Sequence, residues 1–263
     1  MPEIKEVNYF TLPTSQRNAK EYTNLFNCDK SAIAYGEASP AYSETHVFPN
    51  VAEDIYNFNP NMKIIYSVRH PYDRIKSVWK QTLFSGHWRE QIYKNRFGMD
   101  IPKMPLDFTR AIKEYPPFIG ASKYWSHLNK YLEFFPKDQI CIFYFEDFVK
   151  ETKNELRNLF SFLRIEDELN NLELDFGIKN SSTDKTMVKP MVDRITKTRI
   201  YQSCKKMVPA ELRKQVASQL AMKNVPHEVE LTDEQKQIVK TALNGELTQF
   251  LEYTGKPTDY WHL

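Results

Sequence analysis

The chain reads as an α/β protein, with a central parallel sheet flanked by helices and a mostly helical C-terminal part. Three observations predict this. Short apolar runs bounded by turns alternate with segments of helical periodicity, the order that right-handed crossovers between parallel strands require. The run Ile64, Ile65, Tyr66 and Val68 is almost unbroken in its apolarity, as suits a strand covered on both faces. From Ala121 to Phe135 the apolar residues fall at 121, 124, 125, 128, 131, 132 and 135, a spacing that makes one buried helical stripe.

The elements follow in order. A short strand is expected at Val7 to Phe10, a helix from Asn18 to Phe26, and a strand from Ala32 to Gly36 that runs into the loop Gly36 to Tyr42. Val51 to Phe58 reads as a helix and Lys63 to Arg69 as a strand. His70 can cap the next helix, and Pro71 can take its first position, where the fixed φ fits and the missing N–H is no loss. That helix runs to about Phe84, and Ser85 to Pro105 reads as an irregular excursion of the kind that shapes an acceptor site. A strand at Ile140 to Phe145, a helix from Lys150 to Leu163 and an acidic loop from Glu166 to Asp175 come next. The last helix spans Thr232 to Tyr253, with Thr232 and Gln235 forming a capping-box pattern.

At 263 residues the chain suits one domain over 1–263 with a full core. Charged residues at 27% and hydrophobic residues at 41% indicate a globular protein, and no apolar stretch is long enough for a membrane span. The first ten residues lack the basic start and apolar middle of a secretory signal. Cys28, Cys141 and Cys204 are odd in number and widely spaced, which fits a reducing, cytoplasmic setting and neither a disulfide framework nor a zinc site. Cys141, inside an apolar strand, reads as core. The six histidines show no ligand spacing, so no metal is expected. A net charge of +2 does not hold a protein on nucleic acid. From Lys185 to Lys214, however, nine basic residues face two acidic ones, a net +7. This stretch is either a solvated helix face or an attractor for an anionic nucleotide or acidic acceptor.

Arg69 stands at a strand's carboxyl end, where ligands of open α/β sheets bind. An anion there would meet the arginine fork, the free amides of a helix N-terminus and the hydroxyl of Ser77. The bland alternative is an ion pair between Arg69 and Asp73. An arginine eight residues before a serine across a strand-turn-helix resembles the 3′-phosphate motif of sulfotransferases that use 3′-phosphoadenosine 5′-phosphosulfate (PAPS). KEVNYF at Lys5 to Phe10 and GEASPAY at Gly36 to Tyr42 resemble two further segments of the carbohydrate (heparan-type) and bacterial members. Tyr124 to Phe148 is similar to the family's helix, Phe-Pro turn, strand and Glu-Asp ending, and Phe250 to Trp261 to its C-terminal helix and closing tryptophan.

The resemblance implies a P-loop-like three-layer fold, PAPS as co-substrate with 3′-phosphoadenosine 5′-phosphate (PAP) as product, and no metal. By the same pattern Arg69 and Ser77 hold the 3′-phosphate, and Phe145 falls where a tyrosine contacts adenine in cytosolic members; core packing is its other reading. Glu6 aligns with the glutamate that takes the proton from the sugar hydroxyl, and Glu37 is the runner-up. The sequence departs from the family at Ala38, where carbohydrate members often carry lysine, and in lacking the N-terminal strand and lysine-bearing loop that wrap the 5′-phosphosulfate. Asn180, Ser181 and Ser182 fall where family members have a polar nucleotide-facing turn. The expected function is sulfuryl transfer to a hydroxyl or amine of a carbohydrate or small-molecule acceptor. The alternative is a catalytically silent protein of the same fold that binds a nucleotide or a partner.

Overall fold

The computed structural model describes residues 6–26, 32–84, 93–94, 98, 100, 102–165, 187–188, 221–222 and 229–263. Helix α1 (Ala19–Asn24) starts where Asn18 accepts hydrogen bonds from the Lys20 and Glu21 amides. Helix α2 spans Val51–Phe58, and strand β1 spans Ile64–Val68. Helix α3 (Pro71–Phe84) opens on its proline as expected, and the His70 ring accepts from the Tyr72 amide. Helices α4 (Phe108–Glu114), α5 (Pro116–Gly120) and α6 (Tyr124–Leu132) follow. Strand β2 (Ile140–Tyr144) leads into α7 (Phe145–Lys150) and α8 (Thr152–Leu163). Two short strands, β3 (Met187–Val188) and β4 (Ala221–Met222), pair antiparallel. Helix α9 (Asp233–Thr254) begins with the expected capping box: Thr232 Oγ1 accepts from the Gln235 amide, and Gln235 accepts from the Thr232 amide.

The chain divides into two compact units. The first (1–74, 116–175, 236–263) holds β1 and β2, which pair in parallel from Ile64 opposite Ile140 to Val68 opposite Tyr144. Part of its core packs around these strands. Tyr124, Tyr144, Phe250 and Trp261 are buried and in ring contact with one another, with the Phe250 and Trp261 rings stacked 6.2 Å apart; Leu128 and Leu251 are buried as well. Val239, Leu243, Leu247, Phe250 and Leu251 supply one apolar stripe of α9. In the second unit (75–115, 176–235) Trp79 packs 4.8 Å from Phe108, and Ile75, Met104, Ala111 and Ile112 are buried.

Four expectations need correction. Val7 to Phe10 is not a strand: Asn8 adopts left-handed φ 54°, ψ 30°, which breaks an extended run, and Tyr9–Thr11 form a 3₁₀ turn. Ala32 to Gly36 is also not a strand, and Ile33 and Tyr35 stand 66% and 51% exposed. Strand propensity expresses fit to a neighbouring strand, and this run has none among the described residues. Strand β1 is not covered on both faces, since Ile65 is 44% exposed. Cys141 is half-buried rather than deep core, and burial pushes its thiol above the ordinary value, which keeps it inert. Cys28, Cys204, the acidic loop, the 180–182 turn, nearly all of the basic stretch and much of the 85–105 excursion lie outside the described residues.

Candidate active site

Regular pairing ends with Val68 opposite Tyr144, so the next residues, Arg69 and Phe145, leave the sheet level with each other. The Arg69 guanidinium carbon lies 4.8 Å from the centroid of the Phe145 ring. A cation over an aromatic face at such a site contributes about 0.5–1 kcal/mol. Phe145 is 39% exposed, so it presents a ring face at the sheet end rather than filling core. The Arg69 Nε is buried and has no hydrogen-bond partner, an arrangement that is costly unless an anion completes it.

The backbone that carries Arg69 is held from both sides of one peptide plane. Tyr124 donates its hydroxyl hydrogen to the Arg69 carbonyl at 2.6 Å, and the following amide, that of His70, donates to Glu146 Oε1 at 2.7 Å. Burial drives the Tyr124 hydroxyl up to about 12, so it remains a donor throughout the working pH range. The expectation of free helix amides for an anion is corrected at His70 and Tyr72. The His70 amide is occupied by Glu146, Pro71 has none, and the Tyr72 amide is taken by the His70 ring.

Glu146 and Asp147 are site-building residues that sequence reasoning recognised only as part of a pattern. Glu146 Oε2 also accepts from the Trp261 indole N–H at 3.3 Å. Asp147 accepts from Lys256 at 2.7 Å and from Tyr260 at 2.6 Å. Burial opposes ionisation of Asp147, but these two donors outweigh it and hold the carboxyl below its ordinary value. The C-terminal residues thus buttress the strand ends that carry Arg69 and Phe145. A cavity on the β2 flank, lined in part by Ile140, Ile142, Tyr253, Asp147 and Lys256, shares the Asp147–Lys256 brace but contains none of the predicted site residues.

The two candidate bases are placed differently. Glu6 is exposed in a left-handed conformation, φ 54°, and its backbone carbonyl accepts from the Asn8 side chain at 2.7 Å. Left-handed Glu6 costs about 1–2 kcal/mol, whereas Asn8 tolerates that conformation through its local side-chain bond, so the turn draws on external anchors. Glu37 is half-buried and accepts three hydroxyl hydrogens, from Tyr22 at 2.9 Å, Tyr42 at 2.6 Å and Ser39 at 2.8 Å. Desolvation and the neighbouring Glu37 carboxylate push both tyrosine hydroxyls well above their ordinary value. Tyr9, stacked 4.2 Å from Tyr22, and Phe10, 5.4 Å from Phe58, pack the same segment. Ser77 belongs to the second unit and is exposed on α3.

A polar group that sequence reasoning missed is His127, only 1% exposed. Its Nε2 is 2.8 Å from the Gly120 carbonyl, which can only accept, so Nε2 carries the proton and Nδ1 accepts from the Thr45 hydroxyl at 2.8 Å. Burial lowers its pKa to about 4. Among the described residues no group of three or more histidine, cysteine, aspartate or glutamate side chains is placed to hold a metal, and no helix is long and apolar enough to cross a membrane.

In comparison with known proteins, the chain is 30% identical over 142 residues to the mouse heparan sulfate glucosamine 3-O-sulfotransferase 5, and 29% identical over 142 residues to the human protein. These alignments cover 54% of this chain and 39% of each relative, so the matched part spans well under half the length of those proteins. A sulfotransferase crystal structure from Alicyclobacillus acidocaldarius superposes with a TM-score of 0.59 at 17% identity, covering 100% of this chain and 87% of the other, a likeness of fold. Residues 13–248 match the sulfotransferase domain, and the chain belongs to the sulfotransferase family.

Proposed function

We propose that this chain transfers a sulfuryl group from PAPS to a hydroxyl or amine of a carbohydrate or small-molecule acceptor. The observation that carries the reading is Arg69: a guanidinium at a strand's carboxyl end, over the exposed Phe145 ring, with a buried unpartnered Nε and a backbone clamped by Tyr124 and Glu146. These residues fit an aromatic nucleotide bearing a phosphate. The guanidinium N–H groups donate to the 3′-phosphate, and the Phe145 face offers stacking area to a base. Ser77 is proposed as a second phosphate ligand on the family spacing alone.

Bound PAPS supplies the sulfuryl group on a phosphate leaving group; PAP is the product. The chain's own tasks are to bind the nucleotide, to orient the acceptor and to remove its proton. Glu6, an exposed carboxylate next to an aromatic-packed turn, is assigned the last of these. The carbohydrate acceptor class is supported by the heparan sulfate enzymes among the relatives.

Titration calorimetry of the full chain tests the donor assignment. PAP is expected to bind at least tenfold more tightly than adenosine 5′-phosphate, and Arg69→Ala to remove that difference, because a hydrogen bond to a charged group contributes about 1.5–3 kcal/mol. Equal affinity for the two nucleotides in the unaltered protein would refute it.

A further inference from the structure

Glu37 is the anchor of a two-branched hydrogen-bond relay that ends on the turn carrying Glu6. In one branch the Asn8 amide donates to Ser39 Oγ at 2.9 Å, and Ser39 Oγ donates to Glu37 Oε2 at 2.8 Å. In the other the Phe10 amide donates to the Tyr42 hydroxyl at 3.3 Å, which donates to Glu37 Oε1 at 2.6 Å. The direction of every bond is forced. A backbone N–H can only donate, so each hydroxyl accepts from it and has its own hydrogen left for the carboxylate. Each hydroxyl is thereby polarised from both ends, which strengthens the chain of bonds. The Tyr22 hydroxyl adds a third donor to Glu37.

From this geometry we infer that Glu37 is a positioning residue for the Glu6 turn and not a second base. Its carboxylate is spent on three fixed donors, and the two amides it holds through hydroxyls, those of Asn8 and Phe10, lie at and just after the turn whose left-handed residues are Glu6 and Asn8. Asn8 extends the relay by one more bond, its side-chain N–H donating to the Glu6 carbonyl at 2.7 Å. Asn8 and Phe10 are buried, 8% and 3% exposed, so their amides report on the relay rather than on solvent access. The functional half of the inference rests on Glu6 as the base; the structural half does not.

Amide hydrogen exchange by NMR on the full chain reads the structural half. Ser39→Ala is expected to speed exchange of the Asn8 amide roughly tenfold or more and to spare Phe10, and Tyr42→Phe to do the reverse. Glu37→Ala should release both amides and leave Leu128 and Tyr131 on α6 protected. Unchanged exchange of Asn8 and Phe10 in Glu37→Ala overturns the inference; if that variant does not fold, loss of both amides together in each of the two single-branch variants overturns it. Kinetics read the functional half. Glu37→Gln should lower turnover but keep the pH profile of the unaltered protein, whereas Glu6→Gln should change that profile. The opposite pattern would make Glu37 the base. Absence of sulfuryl transfer in the unaltered protein would count against the proposed function, and the exchange result would still decide whether Glu37 holds the turn.

Discussion

Replacing His127 with glutamine separates the packing of that ring from its titration. Glutamine reproduces the neutral tautomer, with an oxygen to accept from Thr45 and an N–H to donate to Gly120, but it cannot take up a proton. In the folded protein His127 titrates near 4, against 6.5 when exposed. Burial is the main cause; the nearby His46 and Arg74 lower it further, and the Gly120 carbonyl and Glu246 act the other way. Between those values the unfolded chain binds more protons than the folded one, so stability falls as pH falls through the window and is flat outside it. A depression from 6.5 to about 4 corresponds to about 3.4 kcal/mol in full, of which about 2 kcal/mol is lost by pH 5. The assay is urea unfolding of both proteins from pH 7.5 to 4. Other groups titrate alike in the two proteins, so the difference curve isolates this site. The original protein should lose about 2 kcal/mol more than His127→Gln on going from pH 7.5 to 5. Parallel curves would refute the assignment of a buried, neutral His127.

Three further outcomes are expected. Glu6→Gln should reduce sulfuryl-transfer turnover by about 10² to 10⁴ with little change in PAP affinity, measured by steady-state kinetics and calorimetry. Phe145→Ala should weaken PAP binding by about two- to fivefold through loss of the cation–π contact and stacking area, less than Arg69→Ala does, and near-equal effects of the two would contradict the proposed division of labour. Thr232→Ala should lower the unfolding free energy by about 1 kcal/mol by removing the cap of α9, seen as a shifted denaturant midpoint at constant slope.

Local chemistry was readable wherever it sufficed to determine structure. Val51–Phe58 declared itself by periodicity, Pro71 by its fixed φ, and the Thr232 and Gln235 cap by residue type and spacing. Arg69 was legible because a strand end followed by a proline-opened helix is a local event. What escaped was non-local. Asn8 turns left-handed in a place where Ser39, far along the chain, accepts its amide hydrogen, and no propensity at Val7 to Phe10 announces this. Glu146 and Asp147 read as a strand ending, yet their partners Trp261, Lys256 and Tyr260 lie in the last residues of the chain. The Phe145 contact was invisible for the same reason, since it depends on the register between two separated strands.

That register has a consequence for the order of folding. Arg69 and Phe145 are joined by more than seventy intervening residues, and bringing the ends of such a loop together costs about 4 kcal/mol of chain entropy by the logarithmic law. A partly folded chain with α2, α3 and α6 formed but β1 and β2 unpaired would have the arginine without its aromatic partner and without the Glu146 brace. Nucleotide held at this place would therefore favour only the fully paired chain, raising the unfolding temperature in proportion to the logarithm of its concentration while leaving partly folded forms unprotected. Recognition of the donor and completion of the long crossover would be one event seen from two sides.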